Sequence, residues 1–131
     1  MTYQGGRATH TTLSRATCLE LLRRTYLARV VISVRCLPAA LPARIATVTD
    51  DRLWLICAEE SVIVAAYRAE VLSVQIDGLD SDRTTWSVTA SGLARLTPDD
   101  SPVASQLHEH LSRGARLIEL PLSILAGERV G

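Results

Sequence analysis

The residues with the clearest potential for binding chemistry lie at 52–70, read RLWLICAEESVIVAAYRAE. Alternation up to Cys57 predicts a strand, and the apolar spacing after Ser61 predicts a helix. The first N–H groups of a helix have no partner within the helix, so a strand–helix turn can bind an anion such as phosphate. The sequence therefore predicts a candidate anion site at Ser61, although Glu59 and Glu60 beside it would repel an anion.

Other reactive side chains show no recognisable catalytic or metal-binding spacing. Cys18, Cys36 and Cys57 are far apart and odd in number, which fits neither a metal site nor a disulfide framework. The histidines of His108-Glu109-His110 are two residues apart, whereas the helical zinc motif needs four. We therefore predict no metal site and a reduced, cytoplasmic protein.

Composition limits the function classes further. The chain has 131 residues, 47% of them apolar, with 14 acidic and 14 basic residues and no net formal charge. The length predicts one domain, and the balanced charge gives no general attraction to nucleic acid or to an anionic membrane. Every basic residue is arginine, so a lysine Schiff base and a lysine phosphate clamp are both excluded. No apolar run approaches membrane-spanning length, and we predict no membrane partner.

The pattern along the chain predicts a mainly β domain with short helices, of the α+β class. Strands are expected at 27–34, 39–48, 52–57, 71–77, 86–97 and 116–124, with helices near 15–26, 61–68 and 102–113. The helices are too few for a doubly wound sheet, which favours a small closed antiparallel barrel with helices outside. Residues 1–12 are expected to form a loose arm, residues 13–131 the barrel domain, and 126–131 a trailing end.

Each predicted helix has an expected apolar face. Ser14 should cap the first helix, with Cys18, Leu19, Leu22 and Tyr26 facing the core. The second should bury Val62, Ile63, Ala66 and Tyr67. The third should run from Ser101 to Gly114 and place His108 on its apolar side, which favours a partly buried structural histidine over a catalytic one. Pro42 and Pro121 predict edge positions, a bulge or a break in their strands.

The order of these elements resembles the pyridoxamine 5′-phosphate oxidase-like, or FMN-binding split-barrel, superfamily over residues 13–127. The resemblance rests on Leu13-Ser14, the CLELL run at 18–22, ARVVISV at 28–34, Leu41-Pro42, the strand–helix element, Trp86-Ser87-Val88, GLAR at 92–95 and Leu120-Pro121-Leu122. It implies a six-stranded antiparallel split barrel and an intertwined homodimer with flavin sites between the subunits. Relatives use FMN, the deazaflavin F420 or occasionally haem, so it also implies a flavin- or deazaflavin-dependent oxidoreductase.

The resemblance also names candidate cofactor-binding residues, which are Arg44, Cys57, Ser61 and Trp86. It identifies no catalytic residue. FMN-binding relatives have basic residues where this chain has Ile56 and Val62, which removes charge-assisted bonds to a phosphate, each worth about 1.5–3 kcal/mol.

Two functional interpretations therefore stay open. The first is a flavin-binding oxidoreductase with a partly degenerate phosphate site. The second is a non-catalytic dimeric split barrel that has lost FMN binding and binds another small ligand or a protein partner. In either case Arg44 has an alternative role as a surface or interface charge, and Trp86 as part of the dimer core.

Overall fold

The structure is a computed structural model, and it describes residues 9–111 and 113–131. The helices are α1 (Arg15–Arg24), α2 (Glu60–Tyr67) and α3 (Pro102–Leu107), the last followed by a 3-10 turn at His108–His110. The strands are β1 (His10–Thr12), β2 (Leu27–Val34), β3 (Leu37–Val48), β4 (Arg52–Cys57), β5 (Val71–Leu79), β6 (Thr85–Leu93), β7 (Arg95–Leu96), β8 (Arg116–Pro121) and β9 (Ile124–Val130). The fold is mainly β with short helices, as predicted.

The strands form one antiparallel sheet in the order β1-β9-β6-β5-β2-β3-β4-β8-β7. Nine strands replace the predicted six, and no pairing joins the two outer strands within residues 9–111 and 113–131, so the sheet is not the predicted closed barrel. One extra strand arises where Ala94, between β6 and β7, bonds through its N–H to the carbonyl of Glu70. Another arises where the N–H of Leu122 bonds to the carbonyl of Asp51 and separates β8 from β9.

Both ends of the chain differ from the sequence predictions. Strand β9 occupies most of the predicted trailing end, and it pairs with β6 on one side and β1 on the other. Strand β1 lies in the predicted loose arm. Its residues His10, Thr11 and Thr12 pair with the edge of β9 that β6 leaves free. The rest of that arm, residues 1–8, lies outside the described residues.

Two apolar layers hold the sheet. The main core includes Leu53, Leu55 and Ile118 on one face of the sheet and α1 residues such as Leu22. The second layer lies on the opposite face and contains Trp54, Ile56, Ala115 and Leu117, with Val103, Ala104, Leu107 and Leu111 of the α3 segment packed on it. Strand β4 is buried on both faces, which explains its uninterrupted apolar sequence.

Helix α1 begins as predicted, because the Ser14 side chain accepts a hydrogen bond from the Thr17 N–H at 3.1 Å. Cys18, Leu19 and Leu22 are buried, as their spacing predicted. The prediction for Tyr26 is wrong: the helix ends at Arg24, so this side chain leaves the apolar face and is 64% exposed.

The other two helices also differ from the prediction, α2 in its apolar face and α3 in its length. Tyr67 is the last residue of α2 and is exposed, whereas Val62, Ala65 and Ala66 face the core. Helix α3 ends at Leu107, well before Gly114, and buries no residue. His108 is consequently exposed and not partly buried, so its predicted structural role is also wrong.

The prolines in the strands occupy positions where the missing backbone N–H breaks no pairing with a neighbouring strand. Pro42 lies in the half of β3 that pairs only with β2, because β4 joins β3 from Arg44 onward. Pro121 is the last residue of β8. Across the described part of the chain, no helix has the length and apolarity needed to cross a bilayer.

Candidate functional site

A cleft of about 510 Å³ opens where β3 passes β4, and Arg44 lies in its wall. Arg44 is paired directly with Ile56 across the two strands, so both side chains project from the same face of the sheet. The remaining lining is largely apolar and includes Leu27, Pro42, Ala43, Ala58 and Ala115, with the carboxylate residue Glu59. The cleft therefore combines a cation with apolar walls.

Tyr26 holds the Arg44 guanidinium in place. Arg44 Nη1 donates a hydrogen bond of 2.6 Å to the Tyr26 hydroxyl, and the guanidinium carbon lies 5.5 Å from the centre of the phenol ring. These contacts restrict the side chain and lower the entropy that binding would cost. Arg44, Ile56 and Tyr26 also line a second cleft of about 270 Å³, which Leu107 of α3 borders.

Sequence reasoning missed Tyr26 as a site residue. Its spacing from Leu22 matched a helix face, which concealed its position at the start of β2. The informative signal is the register: Leu27 pairs with Arg44, and the Tyr26 carbonyl accepts a hydrogen bond from the Ile45 N–H at 2.8 Å. A residue just before β2 is therefore adjacent to the candidate arginine on β3.

Cys57 lies between two residues that line the Arg44 cleft, Ile56 and Ala58, but its own side chain packs in the main core. It is the last residue of β4, is 2% exposed, and its thiol donates a long hydrogen bond of 3.6 Å to the Pro42 carbonyl. Burial raises the pKa of the Cys57 thiol; the charge of Glu59 adds to that effect, whereas a backbone hydrogen bond at Glu59 opposes it. The neutral thiol is a poor nucleophile, and its geometry suits support of the cleft wall.

Ser61 lies in a different cavity, of about 620 Å³, at the first turn of α2. Arg35 and Arg68 line this cavity together with Glu60 and Glu70, so its charges are mixed. Glu59 precedes the helix, but its side chain makes no capping hydrogen bond. In the part of the chain that the structure describes, Ser61 and Arg44 line separate cavities.

The resemblance implies basic residues at positions 56 and 62, and the residues of this chain are apolar there for different reasons. Ile56 is 7% exposed and packs in the second layer beside Arg44. Val62 is fully buried in the main core, so a lysine at this position would lie among apolar side chains. The structure therefore does not support position 62 as the place of a phosphate-binding lysine.

Trp86 lies on β6, and strands β5 and β2 separate it from β3, which carries Arg44. It pairs with Gly78 on β5, and its indole ring covers this glycine so closely that a Cβ there would clash with the ring. Trp86 packs against the main core and lines a cavity of about 470 Å³ that has no described residue in common with the Arg44 cleft. Stacking from a partner subunit, or a place in a dimer core, remains a prediction.

Residues 14–119 match the model of a protein family described as pyridoxamine 5′-phosphate oxidase. A search among curated proteins found no match.

Solved structures share the fold over nearly the whole chain. A FAD-binding protein from Mesorhizobium loti is 19% identical, with a TM-score of 0.77 over 95% of this chain and 99% of that one. The FAD-binding protein from Mycobacterium smegmatis is 22% identical, with a TM-score of 0.73 over 91% of this chain and 98% of that one. The FAD and haem binding protein from Mycobacterium smegmatis is 16% identical, with a TM-score of 0.68 over 91% of this chain and 72% of that one.

Proposed function

The chain belongs to the pyridoxamine 5′-phosphate oxidase family, and we propose that it is a flavin-binding protein of the oxidoreductase type that uses the Arg44 cleft. The observation that carries this proposal is a guanidinium fixed by Tyr26 within a mostly apolar cleft beside Ile56. Binding sites for aromatic cofactors are mainly apolar with a few placed polar groups. The FAD-binding neighbours add support from the shared fold.

Each wall of the cleft would have a distinct role. Arg44 presents hydrogen-bond donors, which suit the carbonyl oxygens of a flavin ring or an anionic tail. Ile56, Ala43 and Ala115 offer apolar contact to the flat ring. A bound flavin would supply hydride transfer, while the protein would orient the ring and exclude water.

The neighbouring structures favour FAD over FMN as the flavin, because two of them are FAD-binding proteins. Arg44 is the one cation lining the cleft within the described residues, and Glu59 lines the same cleft, so little positive charge is available to any flavin phosphate. We therefore propose FAD as the preferred cofactor, with FMN and F420 as weaker alternatives.

We further propose that the flavin site is completed in a homodimer. Ser61 and Trp86 lie in cavities other than the Arg44 cleft, so a partner chain would be needed for them to reach the same flavin. Exposed apolar residues on the sheet, including Val31, Val71 and Leu93, support a covered face. We also propose a reducing cytoplasm as the location, which suits the three free cysteines.

Binding experiments test the proposal. We expect FAD to titrate the purified protein to saturation with quenching of flavin fluorescence, and FMN and F420 to bind more weakly. Arg44→Gln should weaken FAD binding roughly tenfold to a hundredfold, because a charge-assisted hydrogen bond is worth about 1.5–3 kcal/mol. Arg24→Gln, on the exposed surface of α1, is the matched control and should bind FAD normally.

The second candidate function is a non-catalytic dimer that binds a different ligand or a protein. Glu59 in the cleft and the buried Val62 favour it, because neither helps to hold a phosphate. If FAD, FMN and F420 all leave the absorbance spectrum and the melting temperature unchanged, this function replaces the flavin proposal.

A further inference from the structure

A second, smaller cleft adjoins the proposed flavin cleft and shares the Arg44–Ile56 pair with it. On strand β3 the larger cleft is lined by residues 42–43 and the smaller by residues 45–46, so Arg44 lies between the two spaces. The volume of the smaller cleft is about 270 Å³. Complete small-molecule sites usually hold about 300–1,000 Å³, so this space suits one part of a larger ligand.

The lining of the smaller cleft combines an aromatic ring, apolar walls and a cation. Tyr26 is 64% exposed, so much of its ring is open to a flat ligand. Ala46 and Leu107 add apolar walls and pack on the second layer. Among the described residues, Arg44 is the only charged group in this lining, whereas the carboxylate residue Glu59 lines the larger cleft and not this one. The smaller cleft therefore favours an aromatic ring that carries negative charge.

Arg44 is placed to hold the charged group of such a ligand. Its Nη1 donates the 2.6 Å hydrogen bond to the Tyr26 hydroxyl, and its guanidinium carbon lies 5.5 Å from the centre of that ring. A guanidinium has five N–H donors in a planar fork, so it can serve a hydroxyl and a phosphate together. A ligand ring that stacks on Tyr26 would therefore place its anionic group at the boundary between the two clefts.

We propose that the smaller cleft binds the adenine ring of FAD, stacked on Tyr26, with the diphosphate beside Arg44 and the flavin ring in the larger cleft. This arrangement rests on the proposed flavin function. FAD is FMN joined to AMP, and only the AMP half would use the smaller cleft. Binding of AMP itself needs no flavin, so the adenine cleft and the flavin cleft can fail separately.

AMP is the probe for the smaller cleft on flavin-free protein. A titration followed by amide chemical shifts should move residues around Tyr26, Ala46 and Leu107 before those around Trp86. AMP should bind more tightly than ribose 5-phosphate, which lacks the base, and than adenosine, which lacks the charge. Equal binding of AMP and ribose 5-phosphate, or shifts confined to other regions, would overturn the proposal.

Two variants of Tyr26 separate stacking from the restraint on Arg44. Tyr26→Phe and Tyr26→Leu both lose the hydroxyl that bonds Arg44, but only Tyr26→Leu also loses the ring. Tyr26→Leu should bind AMP and FAD roughly fivefold to a hundredfold more weakly than Tyr26→Phe, the equivalent of one base stacked on an aromatic ring. Riboflavin, which lacks the AMP half, should bind equally to both variants. Tyr67→Leu, on an exposed tyrosine outside both clefts, is the matched control and should bind like the parent.

Comparison of the ligands on the parent protein distinguishes the possible failures. FAD should bind more tightly than FMN or AMP alone, because its two halves would occupy neighbouring clefts. FAD binding no tighter than AMP would assign the smaller cleft to a free nucleotide and contradict the arrangement. Flavin binding without AMP binding would refute the adenine cleft alone. AMP binding without flavin binding would refute the proposed function, and the FAD arrangement with it.

Discussion

At the scale of single residues, Glu119 forms ion pairs with two arginines at once. Its side chain is 5% exposed, and it accepts from Arg52 on β4 at 3.0 Å and from Arg95 on β7 at 2.7 Å. One carboxylate thereby connects three neighbouring strands under the second apolar layer. Both arginines are partly exposed, so water already compensates much of their charge.

We predict that Glu119→Gln lowers the free energy of unfolding by about 1–3 kcal/mol. The substitution keeps the volume but removes the charge that pairs with Arg52 and Arg95, and this figure is discounted for their exposure. Urea denaturation measures the change. Asp77→Asn, which breaks the exposed 3.7 Å pair with Arg29, is the control and should change little. Equal effects of both substitutions would contradict this assignment.

The two buried thiols predict a stability that falls in alkaline solution. Burial raises the pKa of Cys18 and of Cys57, so above the ordinary thiol pKa of about 8.5 the unfolded chain loses protons that the folded chain retains. Stability should therefore be complete below this pH and should decrease as pH rises through the raised values. Urea denaturation between neutral pH and about pH 10 should show the decrease, and a Cys18→Ala/Cys57→Ala protein should show a smaller one.

At the scale of elements, the turn between β2 and β3 is strained. Arg35 and Cys36 both have positive φ angles, 52° and 64°, which L-residues with side chains adopt at a cost. Two-residue hairpins of this shape prefer Asn-Gly. Nothing in the turn sequence indicates this geometry, because Arg-Cys is not a usual turn pair.

We predict that Arg35→Asn/Cys36→Gly raises the free energy of unfolding by about 1 kcal/mol, since it relieves the left-handed strain. Thermal and urea denaturation measure the gain. An Arg35→Ala/Cys36→Ala protein removes the same side chains while it keeps the strain, and it should show no comparable gain. A stabilisation of equal size in both proteins would mean that the turn geometry is not the cause.

Element by element, local patterns predicted most strands and the start of α1, whereas the breaks needed distant partners. Ala94 and Leu122 lie within clean alternations, and hydrogen bonds to Glu70 and Asp51 set the strand ends there. The site shows the same limit. The resemblance pointed to Arg44, but its pairing with Ile56 and its contact with Tyr26 depend on strand register.

At the scale of the whole molecule, one face of the sheet is left uncovered by residues 9–111 and 113–131. A row of directly paired residues crosses four strands on this face: Val31, Ser73, Ser91 and Ile124. Ser73 and Ser91 share a hydrogen bond of 2.7 Å, while Val31 and Ile124 are exposed. Small and apolar side chains at the centre of a sheet suit close packing against a second subunit.

We predict that the protein is a homodimer in solution and that Val31→Glu converts it to a monomer, because the substitution buries an unpaired charge at the centre of this face. Light scattering coupled to size-exclusion chromatography measures the mass. Tyr67→Glu, on the exposed end of α2, is the control and should remain dimeric. A monomeric parent protein would contradict the dimer.

FAD titration of Arg44→Gln beside the parent protein and Arg24→Gln tests the central claim most directly. We expect saturable FAD binding to the parent and to Arg24→Gln, and binding at least about tenfold weaker to Arg44→Gln. Identical FAD affinities in all three proteins would place the flavin elsewhere, and absence of binding to the parent would contradict the proposed function.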